Sequence, residues 1–233
     1  MEKSDIIEKL MNFNLSRQEA LVYICLCEYG KLTGYEASKL TGISRSNVYQ
    51  ALNVLADKGA AVVTETNTTL YSPVALEEFL TNKIFHMEED KAYLMKHMPK
   101  EAKSEDGYIT IQGYHNIKDK IRNMIEQCDM RLYLAASNNI IKDFEDVLEK
   151  AHKKGIKIVI MSDKDYSRIA TKCYYDQSEE GQIRLITDST FVLTGEIQKE
   201  GFDTCLYSGQ KNLVTIMKEA LRNKIRLLEL ESI

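Results

Sequence analysis

TGYEASKLTGISRSNVYQALNVLADK, residues 33–58, reads as two helices joined by a tight turn, with the second presented outward. Thr33 and Glu36 have capping-box spacing and start the first helix, whose inner face takes Ala37 and Leu40. Gly42 supplies the turn, and Ile43 plugs between the helices. Ser44 is placed to cap the second helix, on which Val48, Leu52 and Leu55 form one buried stripe. The opposite face carries Ser46, Gln50 and Asn53, flanked by Asn47 and Tyr49, with Arg45 in the first turn. A core helix has no use for such a hydrogen-bonding face, whereas a helix lying in a major groove does. Gln50 and Asn53 can each pair bidentately with adenine, and Ser46 can reach a base edge. Arg45 and the first-turn N–H groups suit phosphate. The expected DNA-facing set is therefore Thr33, Ser44, Arg45, Ser46, Asn47, Tyr49, Gln50 and Asn53, with double-stranded DNA as the partner.

Upstream, a helix over about residues 4–12 is followed by Ser16-Arg17-Gln18-Glu19, a second capping box that opens a helix to about Tyr29. After Gly59, AAVVTETNTTLYSP reads as two short strands joined at Asn67, the wing of a winged helix. Pro73 and Pro99, the only prolines in the chain, then punctuate one helical segment. Within it Leu80, Ile84, Met87, Lys91, Leu94 and Met98 repeat at spacings of four and three, a coiled-coil seam with one polar position at Lys91. So narrow a stripe predicts pairing with a second copy; a linker helix lying on its own domain is the alternative.

Beyond the polar stretch 100–107 the pattern changes to alternating strands and helices. Strands are expected over 108–112, 131–136 and 156–161, with helices over 116–127 and 140–154 between them. Short strands over 183–186, 191–194 and 204–207 and a helix over about 213–230 complete the chain. Strand, helix and strand in succession imply parallel pairing and an α/β layer architecture. Ser137-Asn138 and Ser162-Asp163 each follow a strand, where they either cap the next helix or touch an effector.

At 233 residues and 44% apolar content the chain can bury two cores, and it lacks any apolar run of 18 residues. The charged, periodic start MEKSDIIEKL is unlike a signal peptide. Five cysteines without metal spacing, two of them (Cys25 and Cys27) on different faces of one helix, read as core thiols in a reducing cytoplasm. Redox sensing or a bound metal is the alternative. Dinucleotide, Walker, nucleophile-elbow and zincin signatures are absent, so no cofactor is expected. The net charge of −4 works against DNA affinity, which comes mainly from Lys and Arg on phosphates. Placement offsets this. Residues 39–58 carry Lys39, Arg45 and Lys58 against Asp57 alone, while Glu2, Asp5, Glu8, Glu19 and Glu28 lie upstream.

Helix, capped helix, then YEASKLTGISRSNVYQALNVLADKG and a wing ending in YSPVALEEFL together resemble the TrmB-type archaeal and bacterial transcriptional regulators over residues 5–82. The most specific parts are the run from Ser44 to Gly59 and the exit through Tyr71-Ser72-Pro73. GYHNIKDKIRNMIEQCDMRLYLAAS, GIKIVIMSD and IRLITDSTFVLTGEI resemble the phospholipase D-like domain that many members carry, on strand order and on Gly113, Gly155 and Gly195. The resemblance implies an α/β multidomain protein: a winged helix-turn-helix over 1–75, a coiled-coil dimerisation helix over 76–100, and a phospholipase D-like α/β domain over 101–233. It also implies a cytoplasmic homodimer that binds promoter DNA and answers to a small effector, often a sugar.

Two departures bear on that reading. Family wings often carry Lys or Arg at the tip, whereas residues 65–69 here have none. The chain also ends near residue 233, without the extra sugar-binding subdomain of longer members, so a maltose-type ligand is not implied. Active phospholipase D-like enzymes need H-x-K-x4-D, and none of His86, His97, His115 and His152 stands in that pattern. The expectation is a non-catalytic regulator whose two recognition helices meet half-sites one or two helical turns apart. The alternatives are an adaptor whose winged helix binds protein, and a phosphodiesterase delivered to DNA.

Overall fold

The computed structural model describes residues 3–65, 67–99, 107–176, 181–198 and 203–231; the wing-tip Thr66 and residues 100–106 of the polar stretch lie outside them. The chain divides into two compact units, Met1–Lys100 and Glu101–Ile233. In the first, helices α1 (Lys3–Asn12), α2 (Arg17–Tyr29), α3 (Gly34–Thr41) and α4 (Arg45–Asp57) join a small antiparallel sheet. Its strands β1 (Leu32–Thr33), β2 (Ala61–Glu65) and β3 (Thr69–Pro73) run in the order β1-β3-β2. The sequence reading missed β1, which is two residues long and pairs Leu32 with Tyr71.

Both capping boxes form. Glu19 Oε2 accepts from the Ser16 N–H at 2.9 Å, and Glu36 Oε2 from the Thr33 N–H at 2.8 Å. Gly42 ends α3 in the left-handed region at φ 73°, a conformation that costs a β-carbon energy, and Ser38 Oγ donates to the Ile43 carbonyl across the turn. Leu26, Val48, Leu52 and Leu55 are completely buried, each contributing about 1.5–3 kcal/mol. Two local expectations fail. Leu40 is 47% exposed, because α3 ends one residue later and the core beneath it is filled by Ala37. Ser44 begins α4 without a side-chain cap; its Oγ lies 3.4 Å from Ser46 Oγ instead.

Helix α5 (Leu76–His97) is held by one buried side chain, Phe79, which packs on Tyr23 with ring centroids 5.8 Å apart. Leu80 packs against the core, but Ile84, Met87, Lys91 and Leu94 stay exposed along the helix. Met98 is a correction: it follows the last helical residue at φ −64°, ψ 140°, because the ring of Pro99 excludes the helical conformation from the residue before it.

The second unit is built on a seven-stranded sheet in the order β4-β10-β9-β8-β5-β6-β7. The strands are β4 (Ile109–Gln112), β5 (Arg131–Ala136), β6 (Lys157–Ser162), β7 (Lys172–Tyr175), β8 (Gln182–Thr187), β9 (Phe191–Glu196) and β10 (Thr204–Ser208). Only β5-β6-β7 pair in parallel; every other neighbour is antiparallel. Strand-helix-strand succession misled here because β4 goes to the far edge beside β10. Helices α6 (Tyr114–Glu126) and α8 (Glu145–Lys153) cover the face onto which Leu132, Leu134, Ile183 and Leu193 point. The long helix α9 (Lys211–Glu231) lies on the other face, against Tyr133, Ile186 and Val192. The helix expected over 140–154 is broken into α7 (Asn138–Ile141), a 3₁₀ turn (Lys142–Phe144) and α8, and the break puts Phe144 into the core at 1% exposure.

Asp188 has its own structural task. It sits at φ 50° in the β8–β9 turn and accepts from the backbone N–H groups of Asp129, Met130 and Arg131 at 2.8–2.9 Å. Burial pushes its carboxyl up, but those three donors outweigh burial and hold it below the usual carboxylate range. All five thiols are free; Cys25, Cys128 and Cys205 are core groups as expected, whereas Cys27 is exposed on the outer side of α2 and Cys173 is half-buried. Burial pushes Cys205 up to about 12 and, together with Asp188, Cys128 to about 11, so neither is a thiolate at neutral pH.

Candidate nucleic-acid interface

Helix α4 divides by burial. Val48, Ala51, Leu52 and Leu55 face the core, while Arg45, Ser46, Asn47, Tyr49 and Gln50 are exposed on the other side. The first turn is flanked by a feature the sequence reading missed. Tyr35 on α3 is 40% exposed, and its ring carries Arg45 at 4.3 Å from the centroid and Lys39 at 4.7 Å. Lys39 is a local partner, four residues on along α3, whereas Arg45 reaches the ring only through the crossing of α3 and α4. Each cation–π contact is worth about 0.5–1 kcal/mol at such a site, and together they narrow the rotamers from which the two cations can reach phosphate.

Other members of the expected set are partly committed to the fold. Thr33 Oγ1 accepts from the Glu36 N–H at 3.2 Å and donates to Glu36 Oε2 at 2.8 Å. That backbone and hydroxyl bonding holds the Glu36 carboxyl below its ordinary range. Its negative charge therefore rests on the first turn of α3, where the helix dipole favours it. Asn53 Oδ1 accepts from the Tyr71 hydroxyl of β3 at 3.0 Å. That bond uses one lone pair of the Asn53 amide within the fold. Lys58 leaves the cationic patch altogether: its Nζ is 2.6 Å from Glu19 Oε2 and 2.6 Å from the Asn14 carbonyl, clamping the end of α4 to the start of α2.

Tyr49 is positioned by a glycine. A β-carbon on Gly34 would lie 2.5 Å from the nearest atom of the Tyr49 ring, so the ring keeps its place only because residue 34 has no side chain. Gly34→Ala is expected to swing Tyr49 off α3 and to weaken DNA binding about tenfold, with the winged helix still folded. Titration of the variant into labelled duplex, beside its circular dichroism spectrum, checks this; unchanged affinity would remove Tyr49 from the interface.

In the α/β unit the two Ser-containing pairs meet. Asp163 Oδ1 accepts from the Asn138 N–H at the start of α7 and from Ser162 Oγ, so it caps a helix belonging to the neighbouring strand. The backbone bond to Asn138 holds the Asp163 carboxyl below its ordinary range. His115 and His152 stand exposed on α6 and α8.

Two family models match the chain: "Sugar-specific transcriptional regulator TrmB" over residues 10–77, and "Transcriptional regulator TrmB, EBD N-terminal subdomain" over residues 107–204. Together they take in more than half of it. An uncharacterised protein of Bacillus subtilis, YrhO, is 28% identical over 182 residues, covering 76% of this chain and 66% of its own. The HTH-type sugar sensing transcriptional regulator TrmBL1 of Pyrococcus furiosus is 25% identical over 167 residues, covering 70% of this chain and 48% of its own. The chain thus spans about half to about two thirds of the length of these two relatives. A solved structure of TrmBL2, described as an archaeal chromatin protein with a novel mode of DNA binding, is 22% identical with a TM-score of 0.47, covering 97% of this chain and 98% of that one. With both of its units matched by models of one family, the chain belongs to the TrmB transcriptional regulators.

Proposed function

We propose that this chain is a sequence-specific DNA-binding transcriptional regulator that works as a homodimer under effector control from its α/β unit, and not a phosphodiesterase. The observation that carries the reading is the exposed polar face of α4 set beside the Lys39–Tyr35–Arg45 stack. Hydrogen-bonding side chains that read base edges need cations nearby to hold the phosphate backbone in register, and this corner supplies both. The exposed stripe Ile84, Met87 and Leu94 on α5 supports dimerisation, since that much apolar surface on an otherwise unpacked helix calls for a partner helix. The family models and the regulators named among the relatives support the same reading.

Fluorescence anisotropy on the gene's own upstream region, against a scrambled duplex and at two salt concentrations, tests it. Tighter, salt-dependent binding to the upstream region is the expected result; equal, weak binding to both duplexes would favour a protein-binding adaptor. Gln50→Ala should relax the preference at one base pair by roughly 1–3 kcal/mol. The same loss on specific and scrambled duplexes would take base reading away from Gln50.

A further inference from the structure

The α/β unit holds a cavity of about 520 Å³ that the DNA-binding function does not use. Ser137, directly after β5, lines it. This residue is 8% exposed, and its Oγ is a buried atom without a hydrogen-bond partner among the described residues. A serine at the start of a helix ordinarily caps it by accepting from the second or third helical N–H, but Ser137 makes no such side-chain cap, while the first helical N–H, that of Asn138, is met by Asp163 just past β6. Native structures leave few buried hydroxyls unmet, and one on a cavity wall points to a group that arrives from outside.

The other walls define that group. Asn139 and Gln198 add amide groups, which both donate and accept, as a ligand's own hydroxyls do; the Tyr114 hydroxyl is already used, donating to Asp143 at 3.3 Å and accepting from Lys118 at 3.4 Å. Lys118 also lines the cavity, and burial would depress its ammonium, yet bonds to Asp143 at 2.8 Å and to the Tyr114 hydroxyl at 3.4 Å outweigh burial and keep it charged. Two of its three donors are accounted for, so a third can meet one anionic oxygen. Lys142 lines the cavity too, so its charged groups are two lysines against the Asp143 carboxylate, a net single positive charge that matches a monoanion. Phe144, Ile140 and Ile197 present apolar surface to a carbon skeleton, and the volume is in the range of small-molecule sites.

We propose that this cavity binds a small polyhydroxylated monocarboxylate, of the sugar-acid class, with Ser137 Oγ meeting a ligand hydroxyl and Lys118 the carboxylate. The effector reading above gives such binding its regulatory use, and the proposal rests on that reading for nothing else.

Thermal unfolding of the full chain with gluconate, glucuronate and galactonate, and with glucose and inorganic phosphate as comparisons, decides it. At least one sugar acid in large excess should raise Tm by about 3 °C or more, and neither comparison should match it. Ser137→Ala should unfold no lower than the wild type without ligand, having no bond to lose, while its ligand-induced rise falls to less than a third. Asn139→Ala, at a partly exposed position, should also cut the rise. An equal shift with glucose, a shift with phosphate alone, or none with any of the three acids would overturn the proposal. So would a Tm several degrees lower for ligand-free Ser137→Ala, because the hydroxyl would then be serving the fold. No duplex is present in these measurements, so they stand or fall separately from promoter binding.

Discussion

Replacing Lys39 and Arg45 together by alanine is expected to weaken binding to any duplex by roughly fifty- to a hundredfold near 0.1 M salt, whatever its sequence. Each phosphate neutralised by a cation releases close to one counterion, so losing two such contacts should flatten the plot of log K against log salt by about two units. Few other cations near α4 can compensate. Lys58, which the sequence places in the same field, is tied at 2.6 Å to Glu19, and the described wing residues carry no Lys or Arg. With a net charge of −4 the chain offers no general positive background to rescue the variant. Tyr35→Leu should fall between wild type and double variant, since it keeps both charges and frees their side chains. Anisotropy titrations at four or more salt concentrations, on promoter and scrambled duplexes, give slope and affinity together. A double variant with the wild-type slope would place the phosphate contacts elsewhere on the chain.

The contrast between the two lysines shows where sequence reading stops. The winged helix was legible because its signals are local: two capping boxes close over three residues each, Gly42 sits at the turn, and Val48, Leu52 and Leu55 repeat with the helix. What decided which polar groups face outward was not local. Lys58 meets a partner 39 residues away, Asn53 one 18 residues away, and Arg45 reaches the Tyr35 ring only once two helices cross. In the α/β unit most strands were legible from alternating burial, but their order was not. A hydrophobic pattern says that a strand is half-buried and leaves its neighbour undefined. The segment KCYY of β7 has too little periodicity to announce itself, and the continuous stripe over 140–154 hides the 3₁₀ turn that seats Phe144. The sequence places Ser137 directly after a strand; that Asp163 meets the first N–H of α7 instead depends on parallel pairing of β5 with β6.

Asp188→Asn is expected to destabilise the α/β unit by about 3 kcal/mol at neutral pH. The native carboxylate accepts three backbone N–H bonds from residues 129–131 and one contact from Cys128 Sγ at 3.4 Å, joining the turn after α6 to the β8–β9 turn. Bonds to a charged acceptor are worth about 1.5–3 kcal/mol each, and the figure for the set is discounted because the site is partly open to water. Asparagine is the informative replacement. It matches the shape and is among the residues most tolerant of the left-handed backbone at φ 50°, so the loss isolates the carboxylate's bonding from turn strain. The pH dependence follows from the direction of the shift. A carboxyl held below its unfolded value stabilises the native state fully above about pH 4, and that contribution disappears as pH falls through the lower folded value. Urea unfolding followed by the circular dichroism of the full chain should therefore separate wild type from Asp188→Asn widely at pH 7 and much less below pH 4. A gap of the same size at both ends would mean that the substitution acts through packing or the backbone, and that the three N–H bonds contribute little.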